Sequence, residues 1–234
     1  MTAPGGRSIL VFALACATIA GVAPGSESAK EVVQVESWTR QRLNSTGVPE
    51  TWRAYETIGG HPAYDFIIVE ERDGRALRMR SNGDHSTIAK EVQVDLKTTP
   101  WLEWSWKVVA LPDRADIRRR ETSDAAAHIF VIWPRWPTML RSRLIGYLWD
   151  EHLPVGSIHQ SQKTGTVTFI VVHSGKKELG AWLTERRNVR EDYLMVYGEE
   201  PENPPVIALS IDTNDTKSSA ETFIGPIGFR GDRR

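Results

Sequence analysis

The residues able to do chemistry fall into three groups. Glu103 lies in Trp101-Leu102-Glu103-Trp104-Ser105-Trp106-Lys107, and Asp124 stands four positions before His128 in Asp124-Ala125-Ala126-Ala127-His128. On a strand, positions four apart share a face, so Asp124 and His128 are placed to form the polar floor of a cleft. The alternative is a satisfied core histidine. Glycoside hydrolysis needs two carboxyl groups facing one bond, and Glu103 and Asp124 are the candidates for acid or base, with Asp150, Glu151 and Asp192 as further carboxylates. The competing reading for Glu103 is an ion pair with Lys107 on the same strand face.

The second group is aromatic. Nine tryptophans in 234 residues is a high content, and indole faces stack on the apolar C–H faces of sugar rings. Trp104 and Trp106 share a face with Leu102 and Val108 and read as core. Trp133, Trp136, Trp149 and Trp182 fall at strand ends or in loops and are the platform candidates, so the ligand-binding set is Glu103, Asp124, His128, Trp133, Trp149 and Trp182.

The third group is Asp212, Asn214 and Asp215, three oxygen-bearing side chains within four residues. Hard cations such as calcium take six to eight oxygens from a flexible loop, which makes this a candidate calcium site. The Gly and closing Glu of an EF-hand are lacking. A turn capped by its own Asp and Asn side chains accounts for the same residues. No other cofactor is indicated. His152, His159 and His173 show no zinc-binding spacing, and there is no Gly-x-Ser-x-Gly elbow, phosphate-cradling loop or dinucleotide fingerprint.

These side chains need a scaffold, and the scaffold reads as all-β. Leu102 to Val108 alternates apolar and polar at period two, as does a half-buried strand, while Ala125 to Trp133 is apolar except for His128 and reads as buried on both faces. Ala63 to Glu71 and Ala76 to Arg80 flank an Asp73-Gly74 turn. Further strands are expected at Ile88 to Leu96, Leu144 to Trp149, Thr166 to His173, Val206 to Ile211 and Ala220 to Phe229. The lead-in Glu31 to Leu43 and the stretch Ala181 to Tyr197 are expected to be helical, Asp150 to Gln162 irregular. Pro134 and Pro137 end the strand before them. Nine or ten short strands with turn signals define a two-sheet antiparallel β-sandwich of jelly-roll type with at most one or two short helices. It forms one domain over residues 26–234.

Residues 1–25 read as a secretory signal peptide: Arg7, an apolar stretch from Ile9 to Ala23, then small residues. The stretch is shorter than the roughly 20 apolar residues of a membrane span, so no transmembrane helix is expected after cleavage and the protein is expected in the periplasm or outside the cell. Cys16 is the single cysteine, and Ala13 stands where a lipoprotein signal has a branched aliphatic residue. A mature chain without it has no disulfide and no thiolate chemistry. The 29 basic and 30 acidic side chains balance, and the one dense basic run, Arg118 to Arg120, sits among acids. A nucleic-acid partner is therefore excluded on charge.

The ordered motifs resemble a bacterial family known as domain of unknown function 3047. They are the Trp101–Val108 run, Asp124 to Ala127, Tyr147-Leu148-Trp149, Trp182 with Arg187-Asn188-Val189 and Asp192-Tyr193, Gly198-Glu199 with Pro201, and Asp212 to Thr216. The likeness spans about Leu43 to Phe229. This chain has Ser123-Asp124 and His128 where the family pattern carries an acidic pair and a basic residue, and Ile224-Gly225-Pro226-Ile227 where Tyr-Gly-Asp-Ile is usual. The resemblance implies fold and secretion, and no activity. The reading is an exported β-sandwich that binds a glycan. The alternatives are a glycan hydrolase or lyase on the same fold, and a structural envelope protein whose loops contact another protein.

Overall fold

The computed structural model describes Met1 and residues 32–55 and 62–231. The signal peptide expected over residues 1–25, with Cys16, lies outside the described residues apart from Met1. The strands are β1 (Val32–Glu36), β2 (Arg53–Ala54), β3 (Asp65–Glu71), β4 (Gly74–Asn82), β5 (His85–Glu91), β6 (Trp101–Ala110), β7 (Ala125–Trp133), β8 (Arg143–Asp150), β9 (Ile158–Gln160), β10 (Val167–Ser174), β11 (Leu183–Asn188), β12 (Val206–Asp212) and β13 (Ser219–Arg230). The helices are α1 (Thr138–Arg141) and α2 (Val189–Tyr197), with a 3-10 turn at Arg120–Thr122.

The alternation of β6 is fulfilled: Leu102, Trp104, Trp106 and Val108 are buried, while Glu103, Ser105 and Lys107 face outward. Sheet A has the order β11-β6-β13-β4-β3, with β1 added on β13, and sheet B the order β2-β5-β12-β7-β8-β10-β9. The inner faces of the two sheets enclose one core. In it Trp104 stacks on Tyr147 at 5.5 Å, and Trp106 meets Trp149 at 6.1 Å. Burying each large side chain contributes roughly 1.5–3 kcal/mol, and these four rings couple β6 of one sheet to β8 of the other. β7 is covered on both faces, as its apolar run implies. On its outer side the Phe130 ring lies against Gly146, where a Cβ would come within 2.6 Å of it.

The sandwich is all-β as expected, and four local expectations change. Val32–Glu36 is a strand, because β13 offers it a hydrogen-bonding edge. β5 begins earlier than expected and ends at Glu91; Val94 and Leu96 are buried from the following loop, which is why the alternation seemed to continue. The stretch expected to be one helix is half strand: β11 pairs with β6, and Asn188 then caps α2 by accepting from the Glu191 backbone N–H. Finally, sheet B is mixed. β8 and β10 run parallel, because the connection between them returns along the outer edge of β10, where short β9 pairs antiparallel to it within the stretch expected to be irregular. Among the described residues no helix is long and apolar enough to cross a membrane.

Candidate functional site

The outer face of sheet A carries a row of side chains set by strand register, with Lys107 on β6 opposite Phe223 on β13, and Phe223 opposite Arg78 on β4. Lys107 Nζ lies 4.1 Å from the Phe223 ring centre and 5.3 Å from that of Trp182, which precedes β11. Lys107 donates to Glu71 Oε2 at 2.7 Å, and the Trp182 indole N–H donates to the same oxygen at 3.2 Å. Burial would push the Glu71 carboxyl up, but these two donors hold it below the ordinary value. Arg78 pairs with Glu221 at 2.6 Å. Lys107 and Arg78 are thus matched locally, around a half-buried indole.

Trp182 is seated by Gly225. A Cβ at that position would lie 2.1 Å from Ser105 Oγ and 3.2 Å from the indole ring, so a larger residue would clash with Ser105 and press on the indole. Gly225 and Pro226 are the residues by which β13 bulges between its pairings with Trp106 and Trp104. Beside them lies a pocket of about 110 Å³, lined by Gln34, Glu103, Ser105, Thr184, Gly228 and Arg230, among others. Glu103 accepts from Arg230 Nε at 2.7 Å. The expected partner Lys107 is taken by Glu71, which corrects the Glu103–Lys107 alternative. Glu103 is the one carboxylate among the residues lining the pocket.

The remaining sequence candidates lie elsewhere. Trp133 and Trp149 are buried: Trp133 packs on Tyr193 at 4.6 Å and donates to the Glu202 carbonyl, and Trp149 donates to the Gly175 carbonyl. Both indoles are part of the interior, so neither offers a free platform. Their positions at or near strand ends do not disclose that their rings turn inward.

Asp124, His128, Asp212, Asn214 and Asp215 belong to the opposite face of the sandwich, on sheet B and the loop after β12. Asp124 is buried and accepts from the Asp215 and Thr216 backbone N–H groups and from the Thr216 hydroxyl. It anchors the loop at 212–216 and does not turn to His128. His128 is packed between Phe130 and Phe169, with ring centres at 5.1 and 5.4 Å, and neither ring nitrogen has a hydrogen-bond partner among the described residues. Burial pushes its pKa down to about 3, so it is a neutral packing group, and the cleft expected of Asp124 and His128 is corrected to a loop anchor and a core histidine.

In the calcium candidate, Asn214 N–H donates to Asp212 Oδ1, as the turn-capping alternative requires. Lys163 from the β9–β10 connection forms ion pairs with both Asp212 and Asp215. Its ammonium stands where a cation would have to bind, and among the described residues no group of three His, Cys, Asp or Glu side chains is arranged to hold a metal ion. Adding calcium or a chelator is accordingly expected to leave the melting temperature unchanged. A rise with calcium that the chelator reverses would restore the metal site.

A third polar network ties α2 to the core. Tyr147 Oη donates to Asp192 Oδ2 at 2.8 Å, and Arg187 donates to both Asp192 oxygens. Asp192, read as a spare carboxylate, is therefore a buried structural acceptor.

Fold and face together define an all-β sandwich with a polar, aromatic outer surface. The chain belongs to the family described as "Protein of unknown function (DUF3047)", whose model matches residues 50–228. No curated protein matches it. Among solved structures it is similar to the family 30 carbohydrate-binding module of the cellulosomal cellulase Cel9D-Cel44B of Clostridium thermocellum, at 9% identity, over 87% of this chain and 99% of that one, with a TM-score of 0.43. It is also similar to the xyloglucanase domain of NopAA from Sinorhizobium fredii in complex with cellobiose, at 9% identity, over 82% and 97% of the two chains, TM-score 0.40. A family 29 carbohydrate-binding module complexed with mannohexaose matches at 8% identity, over 86% and 92%, TM-score 0.38.

Proposed function

We propose that this protein is exported and binds a glycan on the outer face of sheet A. The observation that carries the reading is Trp182, half-buried on Gly225 with Phe223 and Lys107 beside it and a polar pocket next to it. An indole face covers the apolar face of a sugar ring, and the flanking Gln34, Glu103, Ser105 and Thr184 supply donors and acceptors for its hydroxyls. With Lys107 and Arg78 each paired to a carboxylate, the surface around Trp182 suits a neutral saccharide. One carboxylate in the pocket, already held by Arg230, favours binding over the two-acid chemistry of hydrolysis.

The test is a glycan array followed by calorimetry on the hits. Trp182→Ala should weaken binding by about tenfold or more, as loss of a central aromatic contact does. The melting temperature should stay within a few degrees, since the indole lies on the outside of the core. Binding that is indifferent to both Trp182→Ala and Glu103→Gln would place the ligand elsewhere, and an array without hits would shift attention to a protein partner in the envelope. Export rests on the Arg7 and Ile9–Ala23 pattern. It is tested by sequencing the N-terminus of protein recovered from the envelope fraction, where an intact Met1 would count against it.

A further inference from the structure

We propose that residues 134–142, the loop from β7 to β8, dock on the surface of an anionic phospholipid bilayer. Among the described residues, the three most exposed large apolar side chains after Met1 all lie in this short loop: Trp136 is 83% exposed, Leu140 79% and Met139 67%. Helix α1, which carries Met139 and Leu140, has no buried residue. These side chains therefore add nothing to the sandwich core, and leaving them exposed costs solubility unless something covers them.

The charge around the tip points to what does so. Arg135, Arg141 and Arg143 flank the apolar residues, and residues 134–143 contain no acid. Arg135 and Arg143 both donate to the Tyr193 hydroxyl, at 3.0 and 2.6 Å, and both pair with Glu199. That single carboxylate fixes the base of the loop and offsets one of the three positive charges. The nearby acid Glu200 is taken by Arg190. Arg141 is exposed and has only a long contact, 3.5 Å, to the Trp136 carbonyl, so its guanidinium is free for an external anion.

A tip of Trp, Met and Leu ringed by arginines matches the bilayer interface, where indoles settle at headgroup depth and basic side chains meet anionic lipid phosphates. A sugar would satisfy the indole but leave Met139 and Leu140 in water. The glycan face on sheet A involves none of these residues, so the two proposals stand or fall separately.

The experiment is co-sedimentation of the full chain with phosphatidylcholine vesicles prepared with and without phosphatidylglycerol. Binding is expected to require phosphatidylglycerol and to fall with salt. Arg141→Ala should weaken partitioning about five-fold, and the double variant Trp136→Ser with Leu140→Ser should reduce it to the phosphatidylcholine background. Any background from the apolar stretch Ile9 to Ala23 is common to all variants. Quenching by brominated phosphatidylglycerol, read as the difference between the parent chain and Trp136→Phe, reports the depth of this one indole whatever else tethers the protein. Because the substituted side chains are exposed, the variants should melt with the parent. Binding indifferent to lipid charge and to these substitutions would overturn the proposal. So would unquenched Trp136, or a dimer in light scattering that the double variant dissolves, which would make the tip a contact between copies of the chain.

Discussion

Asp192→Ala should lower the melting temperature by about 10 °C at neutral pH. Asp192 is buried, accepts from both nitrogens of the Arg187 fork, and also accepts from the fully buried Tyr147 hydroxyl. Removing the acceptor strands a buried phenol and a partly buried guanidinium, a loss of about 3 kcal/mol, at the lower end for a buried pair. For a domain of this size each 1 kcal/mol moves the melting point by roughly 2–4 °C. The loss should also appear as faster exchange of α2 amides, since Arg187 belongs to β11 and Asp192 to α2. Asp192→Asn, which keeps an acceptor for Tyr147, should cost less. A change of under about 2 °C for the alanine variant would mean that the network does not hold α2 to the sheet.

Asp212→Asn should stabilise the protein, and only at higher pH. Burial lifts the Asp212 carboxyl from its ordinary 3.8 to about 7, with Lys163 pulling it down and Asp124 adding to the rise. The folded state therefore holds this proton more tightly than the unfolded chain does. The associated stability is fully present below about pH 4 and is lost as the pH rises through about 7. A shift of this size corresponds to about 4 kcal/mol in full, and the loss of one of the two carboxylates facing Lys163 offsets part of the gain in the variant. The two proteins should melt together near pH 4, and the variant should melt roughly 5–10 °C higher at pH 8.5. The measurement is the difference between their melting curves across that range. A variant less stable by the same amount at every pH would show that Asp212 works chiefly as an ionised partner of Lys163.

What the sequence disclosed follows from which forces leave a periodic trace. β6 and β7 were legible because burial selects apolar residues at every second position, or at every position when both faces are covered. β11 was not, because its inward-facing residues Glu185 and Arg187 are charged, so a strand that joins the sheet carries no apolar alternation. Of the proposed binding residues, Glu103 and Trp182 were visible as types and are on one face. Phe223 and Glu71 were invisible, and Lys107 was paired with Glu103 instead of Glu71, because cross-strand register brings together residues far apart in the chain. For the same reason Asp124 and the 212–216 turn read as two sites: the pairing of Asp212 with Ala125 makes them one. Lys163, which occupies the candidate calcium position, comes from a connection with no motif at all.

The position of β13 also bears on the order of events in folding. It pairs with β6 along one edge and with β4 and then β1 along the other, so the middle of sheet A is supplied by the last, in chain order, of the thirteen strands among the described residues. Until residue 230 has been synthesised, β6 and β11 on one side and β3 and β4 on the other have no common neighbour, and β1 has no edge to join. A nascent chain without β13 can form pairings such as β3–β4 and β7–β8 but cannot complete sheet A, so closure of the sandwich waits on this one strand.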